Sequence, residues 1–196
     1  MNDKDFSFYL DLGSSKIRAA AFNNFNKDEK IIVEKKNILS LKKDQLNFFE
    51  TKKVIKDVIY ELEKKTKVYM NNISLMLDTS DSLSISLSVS KKNDGKLIEK
   101  KNIQYLIQDA KQQILKSYPD QNIIHIIISN YKVDGEDYDY LPENTKCEIF
   151  SVDIFFICFP KILIKDLENL FQTNQISVNQ FLCSSYTKSL SYKEQF

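Results

Sequence analysis

From Ser82 to Ser90 the chain alternates without a break, with Leu83, Ile85, Leu87 and Val89 set between Ser82, Ser84, Ser86, Ser88 and Ser90. A period of two rules out a helix, whose apolar face recurs every three or four residues. It requires a strand with one face in a core and the other in water. A strand of that kind belongs to a small open sheet. The segments on either side must therefore supply the rest of that sheet and the layer that covers it.

Upstream, Phe6, Phe8, Leu10 and Leu12 alternate with Ser7, Tyr9 and Asp11, again at the period of a half-buried strand. Gly13-Ser14-Ser15 reads as a tight turn, residues 17–22 as a second strand and residues 31–41 as a third, giving an antiparallel meander. Val54, Ile55, Val58, Ile59 and Leu62 recur at helical spacing, with Asn71 and Asn72 as the break and residues 73–77 as a short apolar strand. This is the opening of an α/β domain.

Downstream, Asn93-Asp94-Gly95 is a hairpin or loop signal. Ile103, Leu106, Ile107, Ala110 and Ile114 mark one face of a second helix, which Pro119 helps to end. Residues 123–133 and 148–159 read as strands, separated by the acidic loop Asp134-Gly135-Glu136-Asp137-Tyr138-Asp139-Tyr140. Strand–helix–strand–strand is a compact α+β unit with its helix on one face. Pro160 then opens a third helix with Leu163, Ile164, Leu167, Leu170 and Phe171 on its apolar side. A strand over 178–183 and a helix from Ser184 follow. The expected organisation is an α/β domain over 6–79, interrupted by an α+β insert over 80–159 and resumed over 160–196.

Composition excludes several classes of function. The chain of 196 residues has 28 basic and 27 acidic side chains, for a net charge of +1, which speaks against a dedicated nucleic-acid binder. Cys147, Cys158 and Cys183 form neither an even framework nor a Cys-x-x-Cys pair and read as reduced, buried thiols. Residues 1–5 lack the basic start and apolar core of a signal peptide. No apolar stretch approaches the ~20 residues that span a bilayer. A cytosolic protein is expected. Arg18 is the only arginine and there are three glycines, a bias of the kind an AT-rich genome imposes, so each remaining glycine carries information.

Four segments in order carry a resemblance. Leu10-Asp11-Leu12-Gly13-Ser14-Ser15-Lys16 resembles the first phosphate loop of the actin superfamily in the form used by the bacterial cell-division actin homologues of the FtsA type. The segment from Ile73 to Thr79 is similar to the strand leading into that family's inserted subdomain. The segment from His125 through Tyr131 to Asp134-Gly135 resembles its strand ending in an aromatic–x–hydrophobic–Asp–Gly turn. Val178-Asn179-Gln180-Phe181 with Ser184-Ser185-Tyr186 resembles the stretch closing the first half of subdomain 1A. The pilus-assembly relative PilM shares the opening loop and a related insert; the turn from Tyr131 to Gly135 favours FtsA. Thr79 stands where the family has glycine, and Leu141-Pro142-Glu143-Asn144 replaces a glycine-containing loop.

The resemblance implies an actin-like, ribonuclease H-like half-domain (part of subdomain 1A) carrying an inserted strand–helix–strand–strand subdomain (1C, SHS2-like). It also implies a protein-interaction module linking the division ring to downstream septal proteins. Other FtsA-type protomers and the downstream division proteins are the implied partners, with no nucleic acid and no direct membrane insertion. The implied location is the cytoplasmic face of the division septum. The residues to Phe196 hold no second phosphate loop and no adenosine-binding segment. The nucleotide site is thus expected to be incomplete, the chain not an enzyme, and Mg-ATP bound only if a second lobe is supplied. The other readings are an actin-superfamily ATPase cut short and a PilM-like type IV pilus scaffold.

Among individual residues, Asp11, Gly13, Ser14, Ser15 and Lys16 are, by the resemblance, the ancestral phosphate site, and taken alone they read equally as a plain hairpin turn. A tight turn aims backbone N–H groups into one concavity. Gly13 permits close approach, Ser14 and Ser15 donate, and Asp11 orients a magnesium-bound water. His125, the sole histidine, lies in an isoleucine-rich run and reads as structural. No second histidine builds a metal site, and no Cys–His or Ser–His–Asp arrangement stands out. Asp134, Glu136, Asp137, Tyr138, Asp139 and Tyr140 read either as a solvated hairpin tip or as a surface for a basic partner peptide. The pairs Lys35-Lys36, Lys42-Lys43 and Lys91-Lys92 read as solvated faces.

Overall fold

A computed structural model describes residues 5–13, 16–26, 28–36 and 48–193. They form two compact units, the first running through Ser80 and resuming at Leu163, the second spanning Asp81–Ile162.

The first unit is a five-stranded sheet of order β3-β2-β1-β4-β9, built from β1 (Phe6–Leu12), β2 (Lys16–Asn23), β3 (Lys30–Lys36), β4 (Asn72–Leu77) and β9 (Ser177–Cys183). Phe6, Phe8, Leu10 and Leu12 of β1 are buried while Ser7, Tyr9 and Asp11 are half-exposed, as the alternation requires. β1, β2 and β3 pair antiparallel. β4 lies parallel to β1, and a parallel neighbour needs a crossover, which α1 (Phe48–Thr66) supplies. Ile55, Val58, Ile59 and Leu62 are the buried face of α1, which packs on β2 and β3.

The helix stops at Thr66, ahead of the break expected at Asn71 and Asn72. The Thr66 hydroxyl donates to the Leu62 carbonyl at 3.0 Å, and Lys67 turns left-handed at φ 60°. The third strand, expected to reach residue 41, is described as far as Lys36; residues 37–41 lie outside the described residues. α3 (Lys161–Gln172) buries Ile164, Leu167, Leu170 and Phe171 and leads into β9, which pairs parallel with β4. α4 (Ser184–Lys193) follows β9 directly.

The second unit is a four-stranded antiparallel sheet of order β5-β8-β6-β7, formed by β5 (Leu83–Leu97), β6 (Gln121–Val133), β7 (Glu136–Tyr138) and β8 (Lys146–Pro160). α2 (Lys100–Ser117) covers one face, burying Ile103, Leu106, Ala110 and Ile114 against a core that includes Val89, Phe150, Val152, Ile154 and Phe156. Full burial of an isoleucine, leucine, valine or phenylalanine side chain stabilises by roughly 1.5–3 kcal/mol. The serines of β5 face outward and its apolar residues inward, as their alternation predicted.

Two local readings are corrected. Asn93-Asp94-Gly95 does not turn the chain back. Asp94 (φ 51°) and Gly95 (φ 67°) form a bulge, and β5 continues to Leu97 on the same partner after a register shift between Lys92 and Lys96. Buried Asn93 anchors the bulge: its amide donates to the Lys96 carbonyl at 2.6 Å, and its side-chain oxygen lies 3.5 Å from the amide of Asn102, itself buried. Asn102 in turn accepts from the Glu99 amide at 2.8 Å, so the bulge and the start of α2 are tied together. The acidic segment, read as a loop, contains β7, which pairs with β6 through Tyr131, Lys132 and Val133.

Candidate functional site at the carboxyl ends of parallel strands

β1, β4 and β9 run parallel with Leu12, Leu77 and Cys183 in register, so their carboxyl ends finish together. In open α/β sheets that edge is where ligands bind. Asp11 lies one residue before the end of β1, Gly13 in the turn and Lys16 at the start of β2; Ser14 and Ser15 lie outside the described residues.

The turn is closed by a hydrogen bond from the Gly13 amide to the Lys16 carbonyl at 3.1 Å. A Cβ at Gly13 would sit 2.8 Å from that carbonyl oxygen, so the position requires glycine. The close approach that glycine permits is to the chain's own backbone. Asp11 accepts from the Ser184 hydroxyl at 3.0 Å, and the Arg18 guanidinium, its cross-strand partner, lies 3.8 Å from the other carboxylate oxygen. The Lys16 ammonium is 3.1 Å from Glu34, which also takes the Arg18 Nε at 2.7 Å. Those two hydrogen bonds, Arg18's the stronger, hold the Glu34 carboxyl below its usual range.

Two further groups share this edge. Asp78, just beyond β4, accepts from the Ser185 amide at 2.9 Å and the Ser185 hydroxyl at 2.8 Å. A helix N-terminus offers unpaired N–H groups and a positive partial charge. At α4 a carboxylate of the chain itself takes one of them. Asp78, Ser184 and Ser185 stand within segments that carry the resemblance, but nothing in the sequence order signals that Ser184 bonds Asp11 or Ser185 bonds Asp78. Those bonds depend on pairing β9 beside β4.

On the second unit the acidic residues divide. Asp134 adopts φ 51° and its carboxylate accepts from the amides of Glu148 (3.0 Å) and Ile149 (2.8 Å), while its own amide donates to the Ile149 carbonyl at 3.0 Å. It clamps β8 to the turn. Asp137 accepts from the Asn130 amide at 2.6 Å, and the Lys132 ammonium stands between Asp137 (3.9 Å) and Asp153 (2.9 Å). Tyr138 packs on the core and donates to Glu136 at 3.4 Å; burial first, then the Glu136 charge, raises its phenol pKa. Asp139 is exposed, and Tyr140, 71% exposed, meets the Tyr138 ring edge-on at 6.4 Å.

His125 is half-buried in β6, and burial lowers its pKa, favouring the neutral ring. All three cysteines are buried and reduced. Among the described residues no group of three or more His, Cys, Asp or Glu side chains gathers as metal ligands, and no helix is long and apolar enough to cross a membrane. Lys35 pairs with Glu61 at 3.6 Å and Lys91 lies 4.6 Å from the centre of the Tyr105 ring. Lys42 and Lys43 lie outside the described residues.

No protein-family model matches the chain, and no curated protein does. Solved structures do. A chain of the PilM-PilN type IV pilus biogenesis complex is 8% identical, with a TM-score of 0.58 over 93% of this chain and 48% of that one. The cytoplasmic domain of EpsL, an inner membrane component of the type II secretion system of Vibrio cholerae, is 10% identical over 91% of this chain and 56% of its own, with a TM-score of 0.41. A Bacteroides thetaiotaomicron VPI-5482 protein with an actin-like ATPase fold and unknown function is 13% identical over 98% and 60%, at 0.42. The chain spans about half the length of these structures. At such identities the likeness is one of fold, and the first match carries it: this chain shares the fold of about half of that pilus-complex chain.

Proposed function

We propose that this chain is a protein-interaction scaffold of a bacterial envelope-assembly machine and not an ATPase, its inserted unit being the SHS2-like subdomain and its main partner surface. One observation carries the reading. Among the described residues, groups at the strand ends that would face a nucleotide's phosphates already bond within the chain: the Gly13 amide to Lys16, Asp11 to Ser184 and Arg18, and the Ser185 amide at the α4 N-terminus to Asp78. A phosphate entering there meets two carboxylates, and like charge repels it. Asp11, the carboxylate that would orient a magnesium-bound water, already has the Arg18 guanidinium 3.8 Å away as a competing cation.

The finer reading is an FtsA-type division scaffold, supported by the Tyr131-to-Gly135 turn. It places other protomers and downstream division proteins on the insert, at the cytoplasmic face of the septum. A pilus scaffold of the PilM type is the second reading, favoured by the fold shared with a chain of the PilM-PilN complex.

The test has two arms. Calorimetry of the chain with Mg-ATP should show no binding in the low-micromolar range; tight binding abolished by Asp11→Ala overturns the scaffold reading. Immobilised chain should retain basic cytoplasmic tails from division or pilus proteins, the class retained deciding between the two. Neutralising Glu136, Asp137 and Asp139 together should weaken that capture by roughly 1–3 kcal/mol and flatten its salt dependence. Unchanged capture removes the acidic hairpin from the interface.

A further inference from the structure

β5 is the edge of its sheet, and its two halves differ. The half from Lys91 to Leu97 is protected in the usual ways, by Lys91, Lys92 and Lys96 and by the bulge at Asp94 and Gly95. The half from Leu83 to Ser90 has no charge, no proline and no bulge, and among the described residues its backbone pairs only with β8. Leu83, Ile85 and Leu87 are only partly buried on their own core. The opposite edge is β7, three residues long with Glu136 and Asp137, followed by the part of β6 before Tyr131; among the described residues that part pairs only with β8, and it is broken by register shifts between Ile123 and His125 and between Ile128 and Asn130. In the first unit, β3 carries Lys30, Glu34 and Lys35.

The unprotected half is also its own mirror image. Antiparallel pairing with a copy of itself about Ser86 sets Leu83 against Val89, Ile85 against Leu87, and Ser84 against Ser88. Residues paired in this way lie on the same face, so apolar meets apolar and serine meets serine. In the same register the Asp81 end of one copy meets the Lys91 end of the other, opposite charges in both symmetry-related positions. β9, an uncharged edge of the first unit, sets Asn179 against Phe181 when mirrored about its middle residue.

We infer that the occupant of the β5 edge is a second copy of this chain. The two edges pair antiparallel about a twofold axis at Ser86 to make one sheet of order β7-β6-β8-β5-β5-β8-β6-β7. A twofold contact of this kind closes on itself and does not propagate. The inference stands independently of the division and pilus readings, because it rests on the strand and not on the acidic hairpin or the strand-end site.

The experiment uses the full chain in sedimentation equilibrium over a wide concentration range, with Ser86→Lys and Ser86→Glu compared alone and mixed. Ser86 is exposed, so both variants keep the monomer's fold, checked by an unchanged circular dichroism spectrum. The wild type should form dimers. Each variant alone places like charges against each other at the axis and should dimerise roughly fivefold or more weakly, and the equimolar mixture should recover wild-type association. Hydrogen exchange should show every second amide between Leu83 and Ser90 gaining protection as concentration rises. A wild type that stays monomeric, variants that dimerise as well as it does, or a mixture no better than its components overturns the inference. So does concentration-dependent protection confined to another edge.

Discussion

Replacing Asp134 separates a structural role for the acidic hairpin from a recognition role. Its carboxylate accepts two backbone hydrogen bonds from β8, and its backbone sits at φ 51°. The Glu148 and Ile149 amides lie near solvent, so water replaces part of what is lost, leaving about 0.5–1.5 kcal/mol for each bond. A left-handed position costs an ordinary side chain about 1–2 kcal/mol more than it costs glycine, with Asn and Asp between. Asp134→Ala should therefore destabilise the second unit by about 2–4 kcal/mol. Asp134→Gly, which loses the bonds but suits the backbone, should cost about 1–2 kcal/mol by the same terms, and Asp134→Asn, which keeps an acceptor, under about 1 kcal/mol. The measurement is hydrogen exchange at the Glu148 and Ile149 amides together with urea unfolding followed by circular dichroism. The expected order of loss is Ala, then Gly, then Asn. Equal stability for Ala and Asn, with the two amides as protected as in the wild type, refutes the clamp.

Other expectations follow from the same contacts. Gly13→Ala should cost about 1–3 kcal/mol of stability, read as a lowered urea midpoint, because its Cβ would press on the Lys16 carbonyl. Phe150→Ala should cost about 3–5 kcal/mol, since the ring is buried in the second unit's core and stacked on Tyr131 at 6.4 Å; denaturant unfolding reads it directly. Asp153 has its pKa lowered by the Ser88 hydroxyl and then by Lys132, and Lys132 has its own raised by Asp153. The pair should stabilise between those values. Its contribution is lost as pH falls through the lowered Asp153 pKa and again as pH rises through the raised Lys132 pKa, and Asp153→Asn should flatten both limbs of a stability-against-pH curve.

The alternation at residues 82–90 and along β1 was readable because strand side chains report burial one by one. The apolar stripe at Ile103, Leu106, Ala110 and Ile114 reported it for α2. What the sequence hid were effects of pairing. Asn93-Asp94-Gly95 has the residues of a hairpin, yet a bulge needs the same left-handed backbone, and only the continued register with β8 distinguishes them. β7 is too short to show a period. The strand-end cluster was half visible: Asp11 and Gly13 stood out in the loop motif, whereas Asp78 and Ser184 come to it from separate segments. Ser14 and Ser15 lie outside the described residues, so their part in the loop is still an expectation.

The placement of β9 also sets an order of assembly. It is the fifth strand of the first sheet, yet the whole second unit is synthesised between it and its neighbour β4. Until β9 arrives, β4 is an unpaired edge of the kind that invites wrong partners. Closing the gap costs entropy that grows with the logarithm of the loop between the two strands, and a folded insert shortens that loop to residues 78–80 and the return segment that carries α3. Early folding of the insert thus speeds completion of a sheet to which it contributes no strand. Substitutions in the Phe150 core should accordingly slow the docking of β9, leaving a newly made chain longer with its first sheet one strand short.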